Sequence, residues 1–269
     1  MIKSEVILRT KNKKGFIVTT FVVEFPRIIL PEVLTHRAWS RNTSSSRAVP
    51  FKKVLEQVIN NPFIPAYWQK SHTGMQGNEY FTGEYEVRLR KMWIKYRSEC
   101  INAAIRLNAL NVSKQIVNRI LEPFVLCKMI ITTGEEGLIN FFNLRCPIYE
   151  CKKDKKKLDI TKSKSMAEVH MQLLAQSMYL SVNNSNIIRS DTHIPFYDDI
   201  KESVEACARV SYNKIESSKN NLFQLLLDQR HMSPFEHVLF STDDKERYYN
   251  MQGWKSLRYR IEEEKLKRI

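Results

Sequence analysis

The sequence contains no hydrophobic run long enough to cross a membrane. No apolar stretch in its 269 residues approaches the ~20 residues that a membrane-spanning helix requires. The N-terminal residues already include Lys3, Glu5 and Arg9, which is not typical of a secretory signal. We therefore expect no membrane association and a cytoplasmic location, which would be the host cytoplasm for a viral protein.

Cysteine, glycine and proline are also scarce. Seven glycines and nine prolines beside 43% hydrophobic residues exclude a disordered or fibrous chain. The six histidines lack the i, i+4 spacing of a helical metal site, and we expect no bound metal. The cysteines form an odd set without a Cys-x-x-Cys pair, which fits neither a disulfide framework nor a zinc site: Cys100, Cys127, Cys146, Cys151 and Cys207.

Acidic residues are outnumbered by basic ones. The chain has 43 Lys and Arg against 29 Asp and Glu, which gives a formal net charge of +14. This balance favours anionic partners, either nucleic-acid backbones or the phosphates of nucleotides and cofactors, and composition leaves both classes open. Much of the excess lies at 151–165, which we interpret as a solvated Lys-rich insertion.

The residue pattern predicts one α+β domain over residues 1–269, with a mixed β-sheet flanked by long helices. The segments Glu5–Arg9 and Phe16–Phe25 flank turn residues and predict a hairpin, and Val125–Thr132 predicts another strand. Helices are expected where apolar residues recur at helical spacing without breakers: Glu32–Trp39, Phe51–Ile59, Glu84–Leu110, a segment capped by Ser113, another from Thr133 to Arg145, Ala167–Val182, Asp198–Arg209 and Asn221–Arg230.

Residues 35–47 form the first candidate site. They read Thr-His-Arg-Ala-Trp-Ser-Arg-Asn-Thr-Ser-Ser-Ser-Arg, so three arginines and four serines crowd one transition from helix to loop. The planar guanidinium of arginine matches phosphate oxygens, and serine hydroxyls add further donors. The segment is therefore either a phosphate cradle or a solvated helix end.

Polar residues within two further apolar segments form the next candidates. Asn118 and Arg119 fall off the apolar stripe of their predicted helix, and both would be free to meet a ligand or water. Asn140 and Arg145 interrupt the apolar run Leu138–Arg145, where an arginine either pairs with a carboxylate or contacts a ligand.

The run His231–His237 and the residue Cys146 offer weaker chemistry. The run contains two histidines, a serine and a glutamate, but its spacing matches neither a catalytic triad nor a metal site, and a capped loop is the alternative. Cys146 follows Arg145 directly and could be a cation-activated thiolate. No general base is identifiable beside it, so a small buried thiol is the favoured interpretation.

Together these segments resemble the flavin-dependent thymidylate synthases. The hallmark of that family is Arg-His-Arg-x-x-Ser-x-Asn-Glu-x-Ser-x-Arg, and six of its eight specified positions are matched: His36, Arg37, Ser40, Asn42, Ser45 and Arg47. Three further blocks agree with family motifs: Asn118–Pro123, Asn140–Arg145, and Ala208–Tyr212 with His231–His237. The resemblance covers most of the chain, excluding the loop 61–77, the Lys-rich insertion and the tail after Arg260.

The order of these blocks differs from that of the familiar enzymes. There the Ala-Arg-Val-Ser-Tyr and Ser-Pro-Phe-Glu-His blocks precede the Arg-His-Arg block, whereas here they follow every other block. The chain therefore resembles a circularly permuted member of the kind associated with bacteriophages. Permutation leaves an assembled site unchanged when the two termini lie close together at the surface.

The resemblance implies a homotetramer with active sites at subunit interfaces, acting on dUMP with FAD, NADPH and methylenetetrahydrofolate. Flavin contacts would come from His36, Arg37, Asn140 and Ser233. The residues that would hold dUMP, largely through its phosphate, are Ser45, Arg47 and Arg119. Arg145 would lie against the uracil ring and favour its electron-rich, ionised form, because a positive charge stabilises negative charge that develops there.

Two departures from the family pattern keep other functions open. Thr35 replaces the first arginine of the hallmark and Thr43 replaces its glutamate. A related reaction, hydroxymethylation of dUMP or another pyrimidine nucleotide, is one alternative. Another is a basic nucleic-acid-binding protein on the same scaffold, with its tryptophans as stacking surfaces: Trp39, Trp68, Trp93 and Trp254.

Overall fold

The computed structural model of the chain describes residues 2–74, 77, 79–147, 167–211 and 221–266. The helices are α1 (Leu30–Leu34), α2 (Phe51–Asn60), α3 (Glu84–Ala109), α4 (Lys114–Leu121), α5 (Glu135–Arg145), α6 (Val169–Asn183), α7 (Ile200–Ser211), α8 (Leu222–Asp228) and α9 (Leu257–Leu266). The Lys-rich insertion predicted at 151–165 lies outside the described residues.

The strands of the described residues form one large sheet and three small ones. They are β1 (Lys3–Lys11), β2 (Ile17–Pro26), β3 (Ser40–Thr43), β4 (Trp68–Gln69), β5 (Tyr80–Phe81), β6 (Leu126–Gly134), β7 (Ile188–Arg189), β8 (Thr192–His193), β9 (Leu239–Ser241), β10 (Arg247–Tyr248), β11 (Met251–Gln252) and β12 (Trp254–Ser256). The large sheet has the order β3-β6-β2-β1-β7, and the β12-β9-β8 sheet has three strands.

The large sheet is mixed, since β1 pairs antiparallel with β2 but parallel with β7. The predicted N-terminal hairpin is confirmed. Its turn is fixed by Asn12, whose side-chain oxygen accepts from the backbone N–H groups of Lys14 and Phe16, and by Gly15 at φ +92°. The predicted α+β fold, with a mixed sheet and long helices, is confirmed.

The main hydrophobic core lies between the large sheet and helices α5 and α6. Phe21, Phe25 and Ile131 from the sheet are fully buried with Phe141 of α5. The stripe predicted for Ala167–Val182 is confirmed as core, because α6 buries its apolar positions there: Met171, Leu174, Ala175, Met178 and Val182. This packing fixes α5, which carries two of the candidate site residues, against the sheet.

Smaller hydrophobic clusters lie outside this core in the described chain, and two of them involve helices. One joins α2, α3 and α4 through Val58, Ala104 and Leu121. The other joins α7, α8 and the segment before β9 through Val204 and Phe235. Among the described residues, no helix combines the length and apolar character needed to span a bilayer.

Two predicted helix boundaries are wrong for identifiable reasons. Helix α1 ends at Leu34 instead of Trp39, because the Thr35 hydroxyl donates to the Glu32 carbonyl and Arg41 donates to carbonyls at the helix end. Thr133 does not cap α5. It is the penultimate residue of β6 and donates to the Ala38 carbonyl, while Gly134 is the N-cap.

Candidate functional site

His36 lies at the base of the candidate site, between α1 and β3. Its ring stacks on Trp39 with centroids 4.9 Å apart and meets Phe141 edge-on at 4.8 Å. Burial, with the positive charges of Arg145 and Arg41, lowers the pKa of His36 to about 4. The imidazole is therefore neutral near pH 7, and its buried Nε2 has no hydrogen-bond partner among the described residues.

Arg145 is the last residue of α5, and its positive charge acts on His36. The helix begins at Glu135, and its N-cap Gly134 is the last residue of β6, so β6 positions the helix. The Nε of Arg145 is buried without a hydrogen-bond partner in the described part of the chain. Asn140 is exposed on the same helix. The structure thus holds Arg145 half-buried beside a neutral histidine, which leaves its positive charge available to a ligand.

A cleft of about 350 Å³ opens beside β3. Its lining includes Arg37, which is exposed, and Glu236, whose carboxylate pairs with Arg258 at 2.7 Å. Ser233 begins the 3₁₀ turn that carries Glu236 and is partly exposed. Two of the predicted flavin contacts therefore lie in or next to elements that border one cleft.

Arg41 also lines this cleft, but its guanidinium is bonded to backbone carbonyls. Its guanidinium donates to the carbonyls of Leu34, His36 and Trp39 at 2.8 to 3.1 Å. These bonds satisfy backbone acceptors at the end of α1 and hold His36 in place. Arg41 consequently has fewer donors left to replace the hallmark arginine that is absent at Thr35.

The loop 44–49 carries Ser45 and Arg47, the first two predicted dUMP contacts. Asn118 of α4 pins this loop, because its side-chain amide donates to the carbonyls of Ser46 at 2.7 Å and Val49 at 2.9 Å. Asn118 is fully buried, so the prediction that it would be free to meet a ligand or water is wrong. A polar residue on a mostly apolar face can be recruited by backbone acceptors of a neighbouring loop.

The predicted dUMP arginines are both exposed. Arg47 on the loop and Arg119 on α4 have no carboxylate partner among the described residues. Arg27, by contrast, is occupied: it lies 3.1 Å from the Glu122 carboxylate and donates to the Ser44 carbonyl. The structure therefore presents two unpaired guanidinium groups near the pinned loop, a set suited to an anion.

A buried row of polar side chains crosses the sheet beneath the site, and it was missed in the sequence. The side chains come from β1, β8, β2, β6, the segment before β9 and β3, in that order, and neighbouring polar atoms lie 2.5 to 2.8 Å apart. The row consists of Thr10, His193, Thr20, Thr132, His237 and Asn42. Threonines on central strands read as β-formers, and nothing in their spacing indicates that they would meet two histidines distant in sequence.

The burial of the cysteines and tryptophans tests the roles considered for them in the sequence. Cys146 is fully buried, in keeping with a buried thiol, and burial raises the pKa of Cys127 to about 12. Trp39 and Trp254 are buried and cannot stack on nucleic-acid bases, so their proposed role as stacking surfaces is wrong. Within the described ranges, no group of three or more His, Cys, Asp or Glu side chains is placed to hold a metal.

Comparison with known proteins gives a fold likeness. No protein-family model and no curated protein sequence matches the chain. The structure resembles the crystal structure of a UMP/dUMP methylase, PolB from Streptomyces cacaoi, bound with 5-Br UMP: TM-score 0.50, 15% identity, 78% of this chain and 96% of that chain. A second PolB structure, bound with 5-Br dUMP, gives a TM-score of 0.45 at 15% identity, over 72% and 73% of the two chains.

Proposed function

We propose that the protein is a flavin-dependent enzyme that methylates the pyrimidine of dUMP reductively, with methylenetetrahydrofolate as carbon donor and NADPH as reductant. The fold is shared with a protein described as a UMP/dUMP methylase, which supports a pyrimidine nucleotide as substrate. At 15% identity that likeness concerns the fold, so the assignment depends on the residues of the site.

One observation carries the proposal: every motif block contacts the segment 36–49. His36 packs against Phe141 of the Asn140–Arg145 block. Asn118 donates to two carbonyls of the loop 44–49. Asn42 donates to Ser211 and accepts from His237, which belong to the two remaining blocks. Blocks that lie up to about 200 residues apart therefore assemble at one sheet edge, as the parts of a single site would.

The donor set at this edge fits a flavin. The buried Nε2 of His36 lacks a hydrogen-bond partner among the described residues, and such an atom is satisfied when a ligand supplies one. Arg37 lines the cleft and has no carboxylate partner among the described residues, so it could meet an anionic group, while Asn140 is exposed and Ser233 partly exposed. These four residues would hold the cofactor. When bound, the flavin supplies the hydride of the reduction, and the protein orients it.

Ser45, Arg47 and Arg119 would hold dUMP through its phosphate. A guanidinium binds phosphate oxygens with two parallel hydrogen bonds, and neither arginine is neutralised by a carboxylate in the described chain. Arg145 would lie against the uracil ring. Its positive charge favours the ionised, electron-rich form of the uracil ring. A carbon of that ring could then attack the methylene carbon of the donor without an enzyme nucleophile.

Thr35 and Thr43, which replace two hallmark residues, leave hydroxymethylation as a second possible reaction of the same site. The Thr35 hydroxyl donates to the Glu32 carbonyl at 2.6 Å, and the Thr43 hydroxyl donates to the Lys128 carbonyl at 2.5 Å. Neither can supply the charge of the residue it replaces. Hydroxymethylation, in which water instead of hydride completes the reaction, would yield a product of different mass.

The test is the visible absorption spectrum of protein that has been mixed with FAD and desalted, recorded before and after addition of dUMP. We expect flavin to be retained and its bands to shift with dUMP, because both ligands would share one site. A colourless protein that does not respond to dUMP would overturn the proposal. Mass spectrometry of the product formed with methylenetetrahydrofolate and NADPH then distinguishes methyl from hydroxymethyl transfer.

Steep salt dependence of DNA binding, in a protein without flavin, would instead favour the nucleic-acid-binding alternative.

A further inference from the structure

The buried row beneath the site ends in an amide whose orientation is determined by its neighbours. The amide nitrogen of Asn42 lies 2.5 Å from the Ser211 hydroxyl oxygen and 3.2 Å from the Cys207 carbonyl oxygen. A backbone carbonyl can only accept a hydrogen bond. The atom of Asn42 that faces Cys207 must therefore be the nitrogen, and the other atom, Oδ1, must face His237.

This orientation fixes the proton on His237. Asn42 Oδ1 lies 2.5 Å from Nε2 of His237, and an amide oxygen can only accept. Nε2 must therefore carry the hydrogen. Burial lowers the pKa of His237 to about 3, so the ring is neutral and its other nitrogen, Nδ1, has only a lone pair.

The remaining bonds then follow one direction. Thr132 must donate to Nδ1 of His237, at 2.8 Å, so the Thr132 oxygen accepts from Thr20, at 2.6 Å. The Thr20 oxygen is left to accept from Nε2–H of His193, at 2.7 Å. His193 is also fully buried, with a pKa of about 3, and its Nδ1 accepts from Thr10 at 2.8 Å. Each group in the row thus donates toward Asn42.

We propose that His237 is a positioning residue: its Nε2–H, held by the row, locks Asn42 as a strut between β3, α7 and the 3₁₀ turn at Ser233–Glu236. Both amide hydrogens of Asn42 are engaged, so the residue joins these elements instead of binding a ligand. Asn42 also lines the cleft that contains Arg37 and Glu236. Its orientation therefore sets the relative placement of the residues proposed to bind flavin, and to that extent the inference rests on the proposed function.

The direction of the row has a spectroscopic signature that requires no activity. In protein labelled with ¹⁵N in histidine, long-range ¹H–¹⁵N correlation spectra distinguish the two neutral tautomers and the charged form. We expect His193 and His237 both to carry their hydrogen on Nε2, and neither to titrate between pH 5 and 8. An Nδ1–H tautomer, or a charged ring, at His237 would overturn the inference.

Three substitutions at His237 separate positioning from simple packing. In His237→Gln the side-chain amide reaches as far as Nε2 and can still donate to Asn42. In His237→Asn the shorter side chain can accept from Thr132 but cannot reach Asn42, and His237→Phe makes neither bond. All three lose part of the row, so all three are expected to have a lower melting temperature than the wild type.

Only the glutamine variant should keep the flavin. We expect the FAD dissociation constant to rise by about threefold or less in His237→Gln and by at least about tenfold in His237→Asn and His237→Phe. Equal losses in the glutamine and asparagine variants, or no loss in either, would overturn the positioning role. If any variant fails to fold, the wild-type tautomer measurement still decides. If the wild type itself retains no flavin, the proposed function fails, while the tautomers continue to test the row.

Discussion

Asn118 and Arg119 are neighbours on α4 whose side chains have opposite environments. Asn118 is fully buried and donates to the carbonyls of Ser46 and Val49, whereas Arg119 is exposed and has no carboxylate partner among the described residues. One residue builds the loop that carries the proposed phosphate contacts, and the next is available to the phosphate itself. Substitutions at the two positions should therefore fail in different ways.

Asn118→Ala should lower the free energy of unfolding by roughly 2 to 4 kcal/mol, because two carbonyls of the loop lose their buried donor. Arg119→Ala is the matched control on the same helix and should change it by less than ~0.5 kcal/mol. Urea denaturation of both variants measures the difference. Equal stability of the two variants would show that the loop is held by other contacts.

Arg47→Ala should weaken dUMP binding by about 10- to 100-fold while leaving FAD affinity nearly unchanged. The reason is the loss of one charge-assisted contact to phosphate, worth about 1.5 to 3 kcal/mol. Lys52→Ala removes an exposed positive charge nearby on α2 and serves as the control for general electrostatic attraction. Titration of each variant with dUMP gives the affinities, and an unchanged value for Arg47→Ala removes that residue from the phosphate site.

Arg145→Ala should reduce turnover by about 100- to 1,000-fold without unfolding the protein, because a preorganised charge at the reacting ring is lost. The side chain is only half-buried, so the melting temperature should change little. Arg247→Ala is the control, since Arg247 pairs with Glu136 on the same helix as Arg145. Normal product formation by Arg145→Ala would exclude it from the mechanism.

The sequence predicts most of the fold because its long elements carry strong local signals. The stripe of α6 and the hairpin of β1 and β2 each follow from the spacing of apolar residues. The end of α1 does not, because it depends on Arg41, which reaches back to three carbonyls after the chain has turned. Contacts of this kind exist only once the tertiary structure has formed.

The candidate site likewise contains residues that the sequence identifies and residues whose roles only the structure reveals. Arginines at 37, 47, 119 and 145 can be singled out by residue type and motif, and the structure leaves each without a carboxylate partner in the described chain. The roles of Asn42 and Asn118 could not be predicted, because a side-chain amide can bond either to a ligand or to the protein's own backbone. Only the position of neighbouring carbonyls, those of Cys207 and Ser46 among them, distinguishes the two uses.

Three buried histidines should make the protein labile to acid. Burial lowers the pKa of His36 to about 4 and those of His193 and His237 to about 3, against ~6.5 in an unfolded chain. Below pH 6.5 the unfolded state therefore binds protons that the folded state does not. Stability is full above that pH and is lost as the pH falls toward 4, by up to about 1.4 kcal/mol per pH unit for each histidine.

Urea denaturation between pH 5 and 6.5 measures this dependence. The unfolding free energy of the wild type should fall steeply toward pH 5. In His193→Gln the change of unfolding free energy per pH unit should be smaller, because one histidine no longer contributes. Identical slopes would mean that His193 is accessible to protons in the folded state.

Helix α3 presents an exposed apolar stripe, which we propose as a subunit contact of the homotetramer that the family resemblance implies. Tyr85, Met92 and Tyr96 lie at i, i+7 and i+11, hence on one side of the helix, and they are 66%, 40% and 49% exposed. Leu89 lies between them at i+4 and is partly exposed. Such a stripe on a 26-residue helix is costly to leave in water, and a second copy of the chain would cover it.

If this stripe is a subunit contact, the double substitution Met92→Glu and Tyr96→Glu should dissociate the proposed oligomer into smaller species, because charges would be buried in the contact. Asn102→Glu is the matched control, since this exposed position lies about 100° around the helix, on the side that carries Lys91 and Lys95. Sedimentation velocity measures the size of each variant. If active sites are shared between subunits, the double variant should also lose flavin retention while its circular dichroism stays that of the wild type. An oligomer of unchanged size in the double variant would place the subunit contact elsewhere on the molecule.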